Sequence, residues 1–498
     1  MAQYILAIDQ GTSGTKAIIF DQQGGIKAKA TVPLKTMYLD GGIVEQDPFD
    51  IYNNVLDAVK NCVEGFVAEG GKAEQIVTCG ISNQRETFVI WDENGKPLHN
   101  AVVWQCKRSI EVCKQLLVVN GLEDTIRAKT GLIVDPYFSG TKLIWLYENK
   151  PEIKKAIDEG RAYFGTVDTW LLFKLTNGKQ YLTDHTNASR TLFFNLHTLQ
   201  WDKELLDTFK LSSLNLPQIL SSSADFGETD FDGILPHAVS IDSMIGDSHA
   251  AAFGEQCFVP GTAKATLGTG CSVLMNIGSS PKSSGSGMMT TIAWSVPGRV
   301  DYALEGVIVS CGATVEWLKT ELGLFNDSRQ TEAMATSVAD NNGVYLIPAF
   351  SGLGAPHWDM DRKASISGLT FDCNKNHVVR AALESISYQI KDVITAMEED
   401  TALTIRELMV NGGITSNKFV LQFTTDLLNC KLTNRGIADV SALGAALLAG
   451  LKAGLYDSID SLTSLGFNSV SFEPEDHESK MEFYEKWRTV IREVQPAL

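Results

Sequence analysis

The sequence predicts an α/β fold divided into two domains. At 498 residues the chain is longer than a single core usually grows, so two domains of about 250 residues are expected. Short β-type runs alternate with helical patterns, as is typical of α/β domains. The strand-turn-strand pattern of the N-terminus returns after residue 240. We therefore place the domains at residues 1–252 and 253–498.

The first half opens with three β-runs separated by polar, glycine-containing turns, which predicts a β-meander. These runs cover residues 4–9, 15–21 and 26–32. Asp47 and Pro48 then provide an N-cap and a first helical residue for an amphipathic helix. Further strands are predicted at 76–82 and 87–92.

The second pattern begins with a strand at 240–245, the pair Gly246-Asp247 and a helix of small residues. Later elements follow the same logic: strands at 262–267, 272–277 and 407–410, a long core helix at 377–397, and a helix from Ser416. Gly11-Thr12 and Gly268-Thr269 each lie in a turn between two β-runs. This faint internal repeat indicates a duplicated domain whose turns face a shared cleft.

Net charge, cysteine spacing and the apolar stretches limit the classes of function and the cellular location that we expect. A formal charge of -18 argues against a general nucleic-acid binder, which needs dense basic patches. Nine scattered cysteines without metal-site spacing indicate free thiols in a reducing compartment. We find neither a signal peptide nor a convincing membrane span, since Lys452 interrupts the longest apolar stretch. We expect a cytoplasmic protein.

The first glycine turn has the chemistry of a phosphate site. Its backbone N–H groups and the hydroxyls of Thr12 and Ser13 can face an anion, Lys16 adds a charge, and Asp9 can hold Mg²⁺ through water. A plain glycine-rich hairpin turn explains the motif equally well. It is neither a Walker A loop nor a Rossmann fingerprint.

Two further motifs each allow both a functional and a purely structural interpretation. Asp247 ends a strand, where it could take a proton from an acceptor hydroxyl during phosphoryl transfer, or could simply cap a helix. Gly412-Gly413 allows a planar base to approach the backbone, with Asn417 as a hydrogen-bonding partner. An ordinary glycine turn before a helix is the alternative.

The order of these motifs resembles the FGGY carbohydrate kinases. Residues 137–149 are similar to the first signature of that family, and residues 366–384 to the second. Other stretches resemble its glycerol kinase branch: 83–87, 103–105, 165–170, 186–191 and 352–356. The resemblance implies two actin-like, ribonuclease-H-like domains flanking a catalytic cleft, ATP with Mg²⁺, a small polyol or sugar substrate, and a homodimer or homotetramer.

The resemblance also implies residue roles. Asp9 is the expected magnesium ligand and Asp247 the catalytic base. ATP-binding positions are Thr12, Ser13, Lys16, Gly268, Thr269, Gly312, Glu316, Gly413 and Asn417. Acceptor-binding positions are Arg85, Glu86, Trp104 and Tyr137, together with Asp247. A charged pair and an aromatic wall suit a hydroxyl-rich substrate. The structural alternative is that Arg85 and Glu86 form an exposed ion pair and that Trp104 is an ordinary core residue.

Two acceptor positions depart from the glycerol kinase pattern. Ser248 and Ser272 occupy sites where glycerol kinases usually have Gln and Phe, and residues 105–108 also differ. Both exchanges shorten the side chain, which predicts a wider, wetter pocket for a four- or five-carbon polyol or ketose.

Two other functions stay open at this point. A pentulose kinase such as xylulokinase is favoured by the two serines but not by the glycerol-kinase-like stretches. An actin- or chaperone-like ATPase switch would share the glycine turns, but would have no need of Arg85, Glu86, Trp104 and Tyr137.

Overall fold

A computed structural model describes residues 2–492 of the chain. The elements of its first half are β1 (Tyr4–Gly11), β2 (Gly14–Phe20), β3 (Ile26–Pro33), β4 (Met37–Leu39), β5 (Ile43–Gln46), α1 (Pro48–Ala68), β6 (Ile76–Asn83), β7 (Phe88–Trp91), β8 (Ala101–Val102), α2 (Ile110–Leu117), α3 (Leu122–Thr130), α4 (Ser139–Asn149), α5 (Pro151–Asp158), β9 (Tyr163–Thr166), α6 (Val167–Leu175), β10 (Leu182–Asp184), α7 (His185–Ala188), β11 (Phe194–Asn195), β12 (Gln200–Trp201), α8 (Lys203–Thr208), β13 (Gln218–Leu220), β14 (Glu228–Thr229), β15 (Val239–Gly246) and α9 (Asp247–Gly254).

The second half contains fewer, longer elements. They are β16 (Thr262–Leu267), β17 (Cys271–Gly278), β18 (Met289–Val296), β19 (Arg299–Ile308), α10 (Gly312–Thr320), α11 (Gln330–Thr336), β20 (Tyr345–Ile347), β21 (Ser365–Ser367), α12 (Lys375–Thr401), β22 (Glu407–Asn411), α13 (Lys418–Leu428), β23 (Lys431–Asn434), α14 (Val440–Lys452), α15 (Ile459–Leu462), β24 (Val470–Phe472) and α16 (His477–Arg492).

The two large sheets repeat one strand order, which confirms the predicted duplication of an α/β unit. In the first sheet β3, β2 and β1 are antiparallel neighbours, followed by β6 and β15 in parallel. In the second, β19, β17 and β16 are antiparallel neighbours, followed by β22 and β23 in parallel. The hairpins β1–β2 and β16–β17 therefore occupy equivalent places. The boundary between residues 252 and 253 stays a prediction.

A smaller sheet supplies part of the cleft wall. Its order is β4-β5-β8-β7-β9, and Trp104 follows β8 closely while Tyr137 precedes α4. Helices α2 to α5 pack against this sheet in a separate apolar cluster that includes Phe88, Phe138 and Phe164. The two aromatic residues predicted to bind the acceptor thus come from the layer beside the large sheet, not from the sheet itself.

Close contact between α14 and α9 positions the start of α9. A Cβ at Gly444 would lie 1.9 Å from the Ala250 carbonyl oxygen, so only glycine lets α14 come this near. Both helices share an apolar cluster with β1, β2 and β15 that contains Ile5, Ile18 and Leu447. The packing fixes α9, and with it Asp247, against the first sheet.

The local sequence signals account for most element ends. Asp47 accepts a hydrogen bond from the Phe49 N–H at 2.8 Å, as an N-cap should. The helix predicted from Ser416 instead begins at Lys418, because residues 413–416 form a single 3-10 turn and Asn417 caps α13 by accepting from the Val420 N–H at 3.1 Å. Among the described helices none has the length and apolar character needed to cross a bilayer.

Candidate active site

Asp9 lies near the end of β1, two residues before Gly11 of the first glycine turn. Asp9 pairs in register with Lys16 on β2 and with Ser82 on β6. Ser82 donates its hydroxyl to Asp9 Oδ1 at 3.1 Å, while Lys16 Nζ lies 3.9 Å from Oδ2 and 3.1 Å from Asp439. Burial raises the pKa of Asp9 to about 6, and the charge of Asp247 contributes in the same direction. The two aspartates are therefore electrostatic neighbours.

A hydrogen bond connects this turn to Trp104, one of the two aromatic residues predicted to bind the acceptor. Trp104 Nε1 donates to Thr12 Oγ1 at 2.8 Å, and that hydroxyl donates to Gln84 Oε1 at 3.2 Å. The Trp104 and Tyr137 rings meet edge to face with centroids 5.5 Å apart. Ser13 is exposed beside Thr12. The first turn and the aromatic wall thus form one continuous surface.

Asp247 begins α9 with its carboxylate held from two sides. Arg85 Nε lies 3.2 Å from Oδ1, and the Ser248 N–H donates to the same oxygen at 2.6 Å. The Asp247 side chain is 40% exposed, whereas that of Arg85 is 5% exposed. A buried cation therefore anchors an accessible carboxylate.

Behind Asp247 lies a buried network of alternating charges. Arg85 donates two hydrogen bonds to Glu305, at 3.1 and 2.9 Å. Arg190 lies 2.8 Å from Glu305 and donates to Glu86 at 2.5 Å. Burial alone would raise the pKa of Glu305, but Arg190 and Arg85 hold it well below its usual range. Arg85 and Glu86 are thus neither exposed nor paired with each other, which rules out the exposed ion pair.

Glu86 differs from Glu305 in its surroundings. Burial raises the pKa of its carboxyl despite the nearby Arg190 and Arg85. Its backbone has a φ of 60°, a left-handed conformation that non-glycine residues seldom adopt. Ser139 donates to its carbonyl oxygen at 2.8 Å, so α4 helps to hold the unusual backbone in place.

The second glycine turn contacts helix α10. Gly312 N–H donates to the Gly268 carbonyl at 2.9 Å, and the N–H groups of Cys311 and Ala313 both donate to Thr269. A Cβ at Gly312 would lie 2.6 Å from the Gly268 oxygen, so glycine is required there. Glu316, on the same helix, contacts Lys319 at 2.9 Å instead of this turn.

The remaining predicted nucleotide positions lie after β22. A Cβ added at Gly413 would meet no atom within 4 Å, so this surface is open to a flat ligand. Asn417 is buried, and besides capping α13 it donates Nδ2 to Thr331 at 3.0 Å. Both of these hydrogen bonds of Asn417 are therefore to other groups of the protein.

The two serines are joined to a lysine that the sequence did not indicate. Ser248 Oγ and Ser272 Oγ are 3.1 Å apart, and Ser272 donates to Glu305 Oε1 at 3.1 Å. Lys264 Nζ contacts Ser248 Oγ at 2.5 Å. Because Ser272 follows the second glycine turn and Ser248 follows Asp247, this contact ties the turn to α9.

Four charged residues of the site were missed by sequence reasoning: Arg190, Lys264, Glu305 and Asp439. Lys264 and Glu305 each interrupt an apolar strand pattern, which was an available signal that a charge was buried for a reason. Asp439 immediately precedes α14 and pairs with both Lys16 and Lys29.

The residues present fit a magnesium nucleotide. Mg²⁺ takes oxygen ligands and is commonly bound by one or two carboxylates together with substrate phosphates. Asp9 provides such a carboxylate, whose Oδ1 accepts from the Ser82 hydroxyl and whose Oδ2 lies 3.9 Å from Lys16 Nζ. Both glycine turns supply backbone N–H groups of the kind that can bind phosphate.

Comparison with known proteins identifies the family of the chain. Residues 4–254 match the N-terminal domain model of the FGGY family of carbohydrate kinases, and residues 263–453 match its C-terminal domain model. A glycerol kinase of Thermoanaerobacter sp. (strain X514) is 43% identical over 99% of this chain and 98% of its own length. A glycerol kinase of Shewanella sp. (strain W3-18-1) is 43% identical over 98% of both.

Solved structures share the same fold. The crystal structure of Plasmodium falciparum glycerol kinase with ADP superposes with a TM-score of 0.93 at 35% identity, covering 100% of this chain and 99% of that one. A xylulose kinase of Lactobacillus acidophilus gives a TM-score of 0.88 at 22% identity, over 98% and 97%, which shows similarity of fold alone. The matches of both domain models and of near full-length relatives establish that the chain belongs to the FGGY family of carbohydrate kinases.

Proposed function

We propose that this enzyme transfers the γ-phosphoryl group of Mg·ATP to a terminal hydroxyl of a small polyol, with Asp247 as general base. One observation carries the proposal: the accessible Asp247 carboxylate is anchored by Arg85 at 3.2 Å, close to Asp9 of the first glycine turn. An ionised carboxylate held in a fixed direction can accept the acceptor proton as the new P–O bond forms.

The acceptor is held by the surfaces around Asp247. Trp104 and Tyr137 cover the C–H faces of the carbon chain, and their edge-to-face contact keeps both rings in place. Arg85 and Glu86 present a donor and an acceptor for hydroxyl groups, each fixed by a buried partner of opposite charge.

The nucleotide is bound between the two glycine turns. Thr12, Ser13 and Lys16 contact phosphate from one side, Gly268 and Thr269 from the other, with Gly312 and Glu316 nearby, and Gly413 and Asn417 flank the adenine. Asp9 holds the magnesium ion. When bound, that ion neutralises negative charge on the phosphates. Lys16, fixed by Asp439, keeps a cation beside the same position.

Glycerol is the reference acceptor because relatives 43% identical over nearly the full chain are named glycerol kinase. The serines at 248 and 272 favour a longer acceptor of four or five carbons. The xylulose kinase alternative rests on the same two serines, and the comparison with a xylulose kinase adds a shared fold alone. The ATPase switch is disfavoured by membership of a carbohydrate kinase family.

An acceptor screen tests the proposal. ADP formation from Mg·ATP is measured with glycerol, tetritols, pentitols and ketopentoses, and without acceptor. We expect ADP formation to depend strongly on a polyol. Rapid hydrolysis unaffected by any polyol would refute the kinase, and a hundredfold preference for glycerol over every longer acceptor would refute the wider pocket.

A cytoplasmic location and a homodimeric or homotetrameric assembly stay predictions. Eight of the nine cysteine thiols are buried, with Cys373 partly exposed, which supports a reducing compartment. Light scattering of the purified chain measures the assembly directly.

A further inference from the structure

A chain of hydrogen bonds links a buried cation to a buried anion along the acceptor side of the cleft. It runs from Lys264 through Ser248 and Ser272 to Glu305, with spacings of 2.5, 3.1 and 3.1 Å. Lys264 and Glu305 are both fully buried, whereas the two serines between them are only partly buried. The serines are therefore the members of the chain that a ligand in the cleft can reach.

The charges at the two ends fix the direction of every hydrogen bond. Ionised Glu305 has no proton, so Ser272 must donate to it. Ser272 has then used its only proton and can only accept from Ser248. Ser248 in turn accepts from Lys264, whose ammonium group has donors alone. Both serine protons are thus directed along the chain toward Glu305.

The number of protons and lone pairs left on each serine hydroxyl determines which hydrogen bonds the serines can make to a ligand. A hydroxyl has one proton and two lone pairs. In each serine the proton and one lone pair are used within the chain, which leaves one lone pair. The pair of hydroxyls therefore presents two hydrogen-bond acceptors and no donor.

Resting on the kinase function above, we propose that Lys264 is a positioning residue that orients the hydroxyls of Ser248 and Ser272. So oriented, the two serines bind a hydroxyl group of the acceptor molecule and reject a keto group in the same position. A substrate hydroxyl can donate to either serine. A carbonyl oxygen has no proton, so it would face two lone pairs and leave them unpaired. The substrate class is then alditols in preference to the ketoses of equal length.

Lys264 is necessary because a serine hydroxyl otherwise rotates to suit its partner. Lys264 also contacts Thr266 Oγ1 at 3.1 Å, so its ammonium group is held by two oxygens on the same side. Without this donor, the Ser248 hydroxyl could turn toward a carbonyl of the ligand. Selection against ketoses would then weaken.

The direct test compares acceptors that differ only in one oxidation step. kcat/KM is measured for glycerol against dihydroxyacetone and for erythritol against erythrulose, with Mg·ATP. We expect the alditol to be favoured at least tenfold in each pair that has a measurable member. Equal or better use of the ketose overturns the proposal while the kinase function stands. Ribitol against ribulose is added as a five-carbon pair. If no member of the three pairs is phosphorylated, the polyol kinase function fails and the proposal with it.

Two variants separate positioning from support of the fold. In Lys264→Met we expect KM for the alditol to rise about tenfold with kcat nearly unchanged, and the alditol preference to fall toward one. Ser272→Ala, a small change at a partly exposed site, should lower the preference in the same way. Lys114→Met, at an exposed lysine paired with Glu111, is the control and should leave it unchanged. A loss shared equally by alditol and ketose would overturn the proposal.

Discussion

Arg85 and Glu305 form a two-fold hydrogen-bonded ion pair that joins the two large sheets. Arg85 lies just beyond β6 of the first sheet and Glu305 lies within β19 of the second, with N–O distances of 3.1 and 2.9 Å. The same guanidinium contacts Asp247 through Nε. The residue that orients the proposed base is therefore also the residue that links the two walls of the cleft.

Neutralising Glu305 should destabilise the protein strongly. In Glu305→Gln, Arg85 and Arg190 would be left buried without a full counter-charge, and breaking a buried pair in this way typically costs about 3–5 kcal/mol. We expect a clear fall in the midpoint of urea unfolding, followed by circular dichroism.

The matched control for this change is Glu111→Gln. Glu111 forms an ion pair with Lys114 in which both side chains are mostly exposed, and such pairs contribute about 0–1 kcal/mol. Equal effects of the two substitutions would contradict the assigned importance of the buried network.

Replacement of the proposed base should separate catalysis from binding. In Asp247→Asn we expect kcat to fall by about 10²-fold to 10⁴-fold, because the variant cannot take the acceptor proton. Nucleotide affinity, measured by isothermal titration with Mg·ADP, should change little. The accessible Asp247 side chain makes few packing contacts that could be lost.

Asp158→Asn is the control for this experiment, since Asp158 is a half-exposed partner of Lys154 on α5. Its turnover should equal that of the unchanged enzyme. Near-normal turnover of Asp247→Asn would refute the assignment of the base.

The sequence could single out Asp9 and Asp247 because each lies near a strand end and a glycine, which is a local pattern: Asp9 is two residues before Gly11, and Asp247 follows Gly246. It could not reveal the pairing of Arg85 with Glu305 or of Arg190 with Glu86, because 220 and 104 residues separate the partners. Such contacts depend on how the sheets meet, which periodicity does not encode.

The contacts of Ser248 and Ser272 also could not be predicted from the sequence. The small size of these serines draws attention to positions 248 and 272, but the expected wide, wet pocket took no account of Lys264 on a different strand. The lysine and Glu305 join the serines into a polar chain. Whether the pocket is also wider stays a prediction.

Helix α13 shows how side-chain capping shifts a predicted boundary. The apolar spacing predicts a helix from Ser416, yet Asn417 has an extended backbone and caps the helix that starts after it. Asparagine favours caps over helix interiors because its side chain bonds the nearby backbone. That preference was readable from the sequence.

A methyl group at Gly312 should disturb the second glycine turn. In Gly312→Ala the added Cβ would lie 2.6 Å from the Gly268 carbonyl oxygen, so the turn must shift. We expect KM for ATP to rise at least several-fold, measured at saturating acceptor.

Gly65→Ala provides the contrast. Gly65 lies inside α1, and a Cβ there meets no atom within 4 Å, so alanine should stabilise the protein by up to about 1 kcal/mol and leave KM for ATP unchanged. An unchanged KM in Gly312→Ala as well would contradict a nucleotide role for this turn.

Acid should destabilise the protein through His185, whose buried ring lies 2.9 Å from Ser295 Oγ. Burial lowers the pKa of His185 from 6.5 to about 4, so below pH 6.5 the unfolded chain binds a proton that the folded chain does not. Stability is therefore lost as pH falls from about 6.5 to 4.

In His185→Gln this loss is absent, so the stability difference from the unchanged protein should shift in favour of the variant by about 2 kcal/mol between pH 7 and 5. Urea unfolding at pH 8, 7 and 5 measures it; a difference that stays constant down to pH 5 would contradict the buried neutral imidazole.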